Sequence, residues 1–169
     1  MKKKLYIETS VWNQLEHTDR PDWRETAVQF FETVAGSGFY EAFISAIVID
    51  EIKATPNPTT QANLVKHINR IEPVLLPFDD DAMALTQQYI SAVFGGATSR
   101  GIYNDCRHVA VATVNGIDHI ISFNCKHLVN DRRIDGFNAI NFRSGYDHAI
   151  DVSTPHKYII RQNETEDEI

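Results

Sequence analysis

Lys4-Leu5-Tyr6-Ile7-Glu8-Thr9-Ser10-Val11 reads as an apolar strand that stops at a carboxylate. Three similar interruptions follow. Glu51 sits in Val48-Ile49-Asp50-Glu51-Ile52, Asp105 opens Asp105-Cys106-Arg107-His108-Val109-Ala110-Val111-Ala112, and Asn124 ends Ile120-Ile121-Ser122-Phe123-Asn124. A carboxylate beside a core needs a partner, because an isolated buried charge is costly. Acids that meet at one sheet edge repel one another, and a hard divalent cation with oxygen ligands relieves that repulsion. The four positions therefore point to an acidic site for Mg²⁺ or Mn²⁺.

The elements around these residues alternate. Strands are expected at Lys4–Ile7, Tyr40–Ile44, Pro73–Phe78, Ile117–Phe123 and Phe137–Phe142. Helices are expected between them. One starts at Pro21 and ends at Gly36, with Trp23, Ala27, Phe30, Phe31 and Val34 at helical spacing. A second is capped by Ser45, a third by Thr59 or Thr60, a fourth by Asp79-Asp80-Asp81, and a fifth runs from Asp105 to Asn115-Gly116. Such alternation predicts an α/β fold with a parallel sheet covered on both faces. Ligands on such sheets bind beyond the carboxyl ends of the strands, where the strand order reverses. Glu8 and Asn124 fall at carboxyl ends, and all four positions converge if strands one and four are neighbours.

Composition agrees with a single globular domain. The 169 residues are 43% apolar and 23% charged, and no apolar run is long enough for a membrane span. The start is basic but has no apolar h-region, and two cysteines are too few for a disulfide framework, so a cytoplasmic home is expected. A net charge of −7 excludes binding nucleic acid by charge alone. The domain is expected over 1–150, with 151–169 as an extension whose acidic run Glu164-Thr165-Glu166-Asp167-Glu168 is disordered.

Each singled-out residue also has a plainer role. Glu8 is a metal ligand or the cap of the turn after strand one. Asp105 is a ligand, an N-cap, or both. Glu51 competes with Asp50, since adjacent helical residues point about 100° apart. Thr9 and Ser10 hold substrate or a metal-bound water, or cap the next turn. Cys106 and His108 are two apart on a helix and do not share a face, so zinc is rejected. His108 then reads as a core histidine or one supporting a ligand. Arg107 is a surface residue or a contact to a substrate backbone. Arg100, Lys126, Arg132 and Arg133 flank the active edge and are candidates for contacts to phosphate.

In ordered combination, Tyr6-Ile7-Glu8-Thr9-Ser10-Val11-Trp12, Ile44–Ile52, Asp105–Gly116 and Ile121–Leu128 resemble the PIN-domain nucleases, from strand one to about Tyr146. That resemblance implies an α/β/α sandwich with a five-stranded parallel sheet in the order 3-2-1-4-5. It implies Mg²⁺- or Mn²⁺-dependent cleavage of RNA, and it selects Glu51 over Asp50. Glu8, Glu51 and Asp105 would then hold the metal, with Asn124 ligating through its oxygen or orienting water, and Thr9, Ser10, Arg100 and Lys126 meeting substrate. Many bacterial members are VapC-type toxins, homodimers silenced by a protein antitoxin. A degraded PIN-like module that binds RNA or protein is the alternative. Two residues depart from the family pattern. Glu8 stands where Asp is usual, moving the carboxylate about 1.3–1.5 Å, and Asn124 stands where Asp is frequent, keeping an oxygen but losing the charge.

Overall fold

In the computed structural model, which describes residues 1–97 and 99–160, five parallel strands form one sheet in the order β3-β2-β1-β4-β5. The strands are β1 (Lys3–Ile7), β2 (Tyr40–Ser45), β3 (Val74–Leu76), β4 (His119–Ile121) and β5 (Asp151–Ser153). Leu5, Tyr6 and Ile7 are fully buried, as expected of a central strand covered on both faces. β1 lies between β2 and β4, with Leu5 opposite Ala42 on one side and His119 on the other.

Among the described residues, seven α-helices connect the strands: α1 (Thr9–Gln14), α2 (Pro21–Gly36), α3 (Ala46–Lys53), α4 (Pro58–Ile71), α5 (Asp80–Val93), α6 (Arg100–Val114) and α7 (Asp131–Arg143). The chain winds outward from β1 to β3, then returns across the sheet to β4 and β5. Right-handed crossovers in opposite directions put α1–α4 on one face and α5–α7 on the other. The contacts agree: α5 packs on α6 and α7, while α1, α2 and α3 each pack on α4. Chain order reverses between β1 and β4, where Glu8 N–H donates to Ile121 C=O at 3.0 Å. That seam is the expected site. Among the described residues no helix is long and apolar enough to cross a membrane.

Several local expectations hold. Pro21 starts α2, and Ser45 and Asp79 cap α3 and α5 through their side chains. Gly116, at φ +71°, takes the left-handed conformation that turns the chain out of α6. Others are corrected. Asn57 caps α4, rather than Thr59 or Thr60. Asp105 does not open a helix. Ser99 caps α6 by accepting from Ile102 N–H, and Arg100–Asn104 form its first residues, so Asp105 lies on the second turn.

The largest correction is at the fifth strand. Phe137–Phe142 belongs to α7, whose buried residues Phe137, Ile140 and Asn141 recur at helical spacing behind the Asn130 cap. Gly136 lets this helix approach α5 closely, since a Cβ there would sit 3.2 Å from Val93. The fifth strand is Asp151–Ser153, which pairs with β4 and so belongs to the sheet, although an extension was expected to begin there. It contributes a single buried apolar residue, Val152, too faint a pattern to read. The acidic run 164–168 lies outside the described residues.

Candidate active site

Glu8 follows β1 directly and caps α1. Its Oε2 accepts from Ser10 N–H at 3.1 Å, from the Ser10 hydroxyl, and from the Ser122 hydroxyl at 2.8 Å. Ser10 Oγ also accepts from Phe123 N–H, and Ser122 Oγ from Asn124 N–H, both at 2.9 Å. Two serines thus tie the loop after β4 to the carboxylate after β1. Ligand and cap were alternatives in the sequence. Here the cap uses Oε2, and Oε1 has no hydrogen bond among the described residues, standing 3.9 Å from His108 Nε2.

Glu51 reaches the same place from α3. Its Oε1 accepts from Thr9 Oγ1 at 2.9 Å and from His108 Nε2 at 2.5 Å. His108, fully buried on α6, meets Tyr6 OH at 2.7 Å through Nδ1, and Tyr6 OH meets Ser45 Oγ at 2.7 Å. Burial alone would push Glu51 up and His108 down. For Glu51 the hydrogen bond and charge of His108, with Thr9 and Arg107, reverse this and hold the carboxyl below its usual range. For His108 the Glu51 bond and the charges of Glu8, Glu51 and Asp105 raise the ring. Both shifts favour an imidazolium–carboxylate pair. His108 thus bridges Glu51 through Nε2 and Tyr6 through Nδ1, and the Tyr6 hydroxyl is in turn hydrogen-bonded to Ser45 Oγ.

Asp105 has a different environment. Asn124 Nδ2 donates to its Oδ1 at 3.2 Å and His127 Nδ1 to its Oδ2 at 3.0 Å. Burial, Lys126 and Arg133 lower the His127 pKa, so the ring donates as a neutral group although its distance also fits an ion pair. Burial first, and then the charges of Glu8 and Glu51, push Asp105 up to about 7; His108 and Asn124 only partly oppose them.

Glu8, Glu51 and His108 each offer an atom within 4.8 Å of the others, a spacing that one metal ion can bridge. Two of these are oxygens, the ligands that Mg²⁺ and Mn²⁺ prefer. Glu8 Oε1 and Glu51 Oε2 accept no hydrogen bond among the described residues. His108 is not open, because both its nitrogens are engaged. A divalent ion therefore fits this donor set through Glu8 and Glu51, with Asp105 the neighbouring carboxylate whose charge is least compensated.

Of the expected site residues, Glu8 and Glu51 come together around His108, and Asn124 bonds Asp105, whose carboxyl feels the charges of both glutamates. Asp105 lies outside the tightest group. The Asn124 oxygen accepts from His127 N–H at 3.2 Å and its amide faces Asp105, so the side chain positions Asp105 rather than offering oxygen to an ion. Reversing that amide would set oxygen against carboxylate and NH₂ against N–H. Thr9 and Ser10 spend their hydroxyls on Glu51 and Glu8. Arg100 is exposed and lines the cleft beside Glu51, and Lys126 is exposed near His127. Ser122, His127 and the Tyr6–Ser45 pair were missed. Ser122 had a signal, a lone hydroxyl within an apolar run.

Neither a family model nor a curated protein matches this sequence. Solved structures do match. FitAB bound to an IR36 DNA fragment is 14% identical over 94% of this chain and 98% of that one, with a TM-score of 0.56. FitAcB from Neisseria gonorrhoeae is 15% identical over 89% of this chain and 97% of that one, with a TM-score of 0.52. VapBC2 from Rickettsia felis bound to a DNA fragment from their promoter is 11% identical over 89% and 98%, with a TM-score of 0.54. At such identities the likeness is one of fold, and the chain has the PIN-like α/β fold, with its 3-2-1-4-5 parallel sheet, of these FitAB and VapBC2 chains.

Proposed function

We propose that this chain is a divalent-metal-dependent endoribonuclease of the VapC type. The observation that carries this reading is that Glu8 and Glu51 bring ligand atoms within 4.8 Å of one another, beside Asp105 and at the reversal of strand order. When bound there, Mg²⁺ or Mn²⁺ would lower the pKa of a water for attack on an RNA phosphodiester. The chain's own residues fix the geometry. Ser10 and Ser122 hold Glu8, Thr9 and His108 hold Glu51, and Asn124 and His127 hold Asp105. With water as the nucleophile and the 3′-oxygen as the leaving group, which takes up a proton, the products carry 5′-phosphate and 3′-hydroxyl ends.

The proposed biology follows the same reading: a cytoplasmic homodimer restrained by a protein antitoxin. The fold shared with VapBC2, which was solved on a fragment of its own promoter, supports such a partner. A second reading, a PIN-like module without activity, is favoured by the His108–Glu51 pair, which neutralises Glu51 without any metal. Incubation of single-stranded RNA with the protein and Mn²⁺, with analysis of the product ends, separates the two. Cleavage abolished by chelator and restored by Mn²⁺ supports the nuclease. Intact RNA together with no Mn²⁺ binding by calorimetry sinks it.

A further inference from the structure

Next to Glu51, between α3 and α6, lies a cleft of about 360 Å³. Arg100, Asn104 and Arg107 line it from α6, at spacings of four and three residues that put them on one helix face. Tyr103 lines it too, and Asp50 and Glu51 face them from α3. The Arg107 guanidinium carbon lies 4.8 Å from the Phe78 ring centre and 5.0 Å from that of Tyr103. One Nη donates to Asn104 Oδ1 at 3.2 Å. Nε is buried without a hydrogen-bond partner, and Arg107 forms no ion pair within 4.0 Å among the described residues.

A guanidinium used only for packing satisfies this geometry in part, since two rings at these distances attract a cation. That role does not explain why the charge is left without a carboxylate in a cleft that contains two. Glu51 Oε1 is already engaged by Thr9 and His108. Arg100 and Arg107 thus share the cleft with Asp50 and Glu51 without an ion pair from Arg107 to either acid among the described residues. The aromatic clamp fixes a planar group whose remaining N–H donors suit phosphate oxygens.

We propose that Arg107, with Arg100 and Asn104, forms a phosphate subsite that takes the phosphodiester next to the one at the carboxylate centre. This rests on the nuclease reading for its substrate, though not for its anion chemistry. The cleft is of a size that suits a small ligand. The subsite would set which nucleotide enters the centre, by fixing the backbone one residue away.

The test uses the full chain with Mg²⁺ and follows the arginine Nε–H signals by ¹H–¹⁵N NMR while inorganic phosphate is added. The Arg107 signal, identified by its loss in Arg107→Lys, should shift saturably. Arg100→Ala should weaken that response by roughly threefold or more. No shift of the Arg107 signal up to about 100 mM phosphate, or a shift that Arg100→Ala leaves unchanged, overturns the subsite. Arg107→Lys should also raise KM for RNA about tenfold with Mn²⁺ affinity unchanged; an unchanged KM overturns it as well. If phosphate binds as described and RNA stays intact, the nuclease reading fails and the subsite stands.

Discussion

Glu51 and Asp105 are neighbouring carboxylates of one site, and their surroundings drive them in opposite directions. On the Glu51 side the protein supplies its own cation, a buried imidazolium backed by Tyr6 and Ser45. On the Asp105 side it supplies two neutral donors, Asn124 and His127. Burial therefore decides the balance at Asp105, which rises to about 7, while at Glu51 the imidazolium outweighs burial. One acid is charged because the fold pairs it, and the other becomes comfortably charged only when a cation arrives.

Asp105→Asn tests that contrast most severely. The amide keeps size and loses charge, so RNA cleavage should fall about 100-fold or more and Mn²⁺ affinity should fall with it. In the metal-free protein the same change should add about 1–3 kcal/mol of stability at pH 8. The sign follows from a folded pKa near 7 against an ordinary value of 3.8. This group's contribution is complete below about pH 4 and is lost as pH rises through about 7. Denaturant melts at pH 5 and pH 8, wild type against Asp105→Asn, isolate that slope. An Asn variant that cleaves RNA normally removes Asp105 from the site.

His108→Ala attacks the other side. It leaves Glu51 partly buried without its cation and opens a cavity, a loss of about 3–5 kcal/mol. Tyr6→Phe is milder, about 1–2 kcal/mol, because it deprives one His108 nitrogen and Ser45 Oγ of a partner. If both variants melt like the wild type, the relay is not what holds Glu51.

Glu8→Asp sharpens the comparison at the shared wall. Two serines and Ser10 N–H are fitted to the longer side chain, so shortening it should reduce cleavage about tenfold at matched Mn²⁺. Increased cleavage would mean that the site has drifted from an Asp-based one. Lys126→Ala should have the smallest effect, within about twofold on KM at physiological salt, since an exposed lysine is screened. A tenfold change there would move the substrate path to the Asp105 side.

The chain pattern carried the sheet because strand signals at Leu5–Ile7 and Ala42–Ile44 are strong apolar runs. It failed at β5, where three residues with one apolar side chain are defined only by pairing with β4. It also failed at Phe137–Phe142, where an apolar cluster hid a helical spacing. Of the site, the four polar interruptions were legible because each breaks an apolar stretch. Which atom of Glu8 caps and which remains open was not, since that depends on Ser122, 114 residues away. The same applies to His108, whose neighbours in sequence say nothing of Tyr6.

The relay from Ser45 through Tyr6 and His108 to Glu51 joins residues 39, 102 and 57 positions apart. Contacts so distant along the chain close late, after the entropy of large loops has been lost. During synthesis the first three strands can pair while the chain still ends short of His108. At that stage Glu51 has no buried cation and Glu8 lacks Ser122. The reactive geometry is therefore absent from every nascent intermediate that ends before β4. Pulse-labelled hydrogen exchange should find protection at β1–β2 before it appears around Asn124.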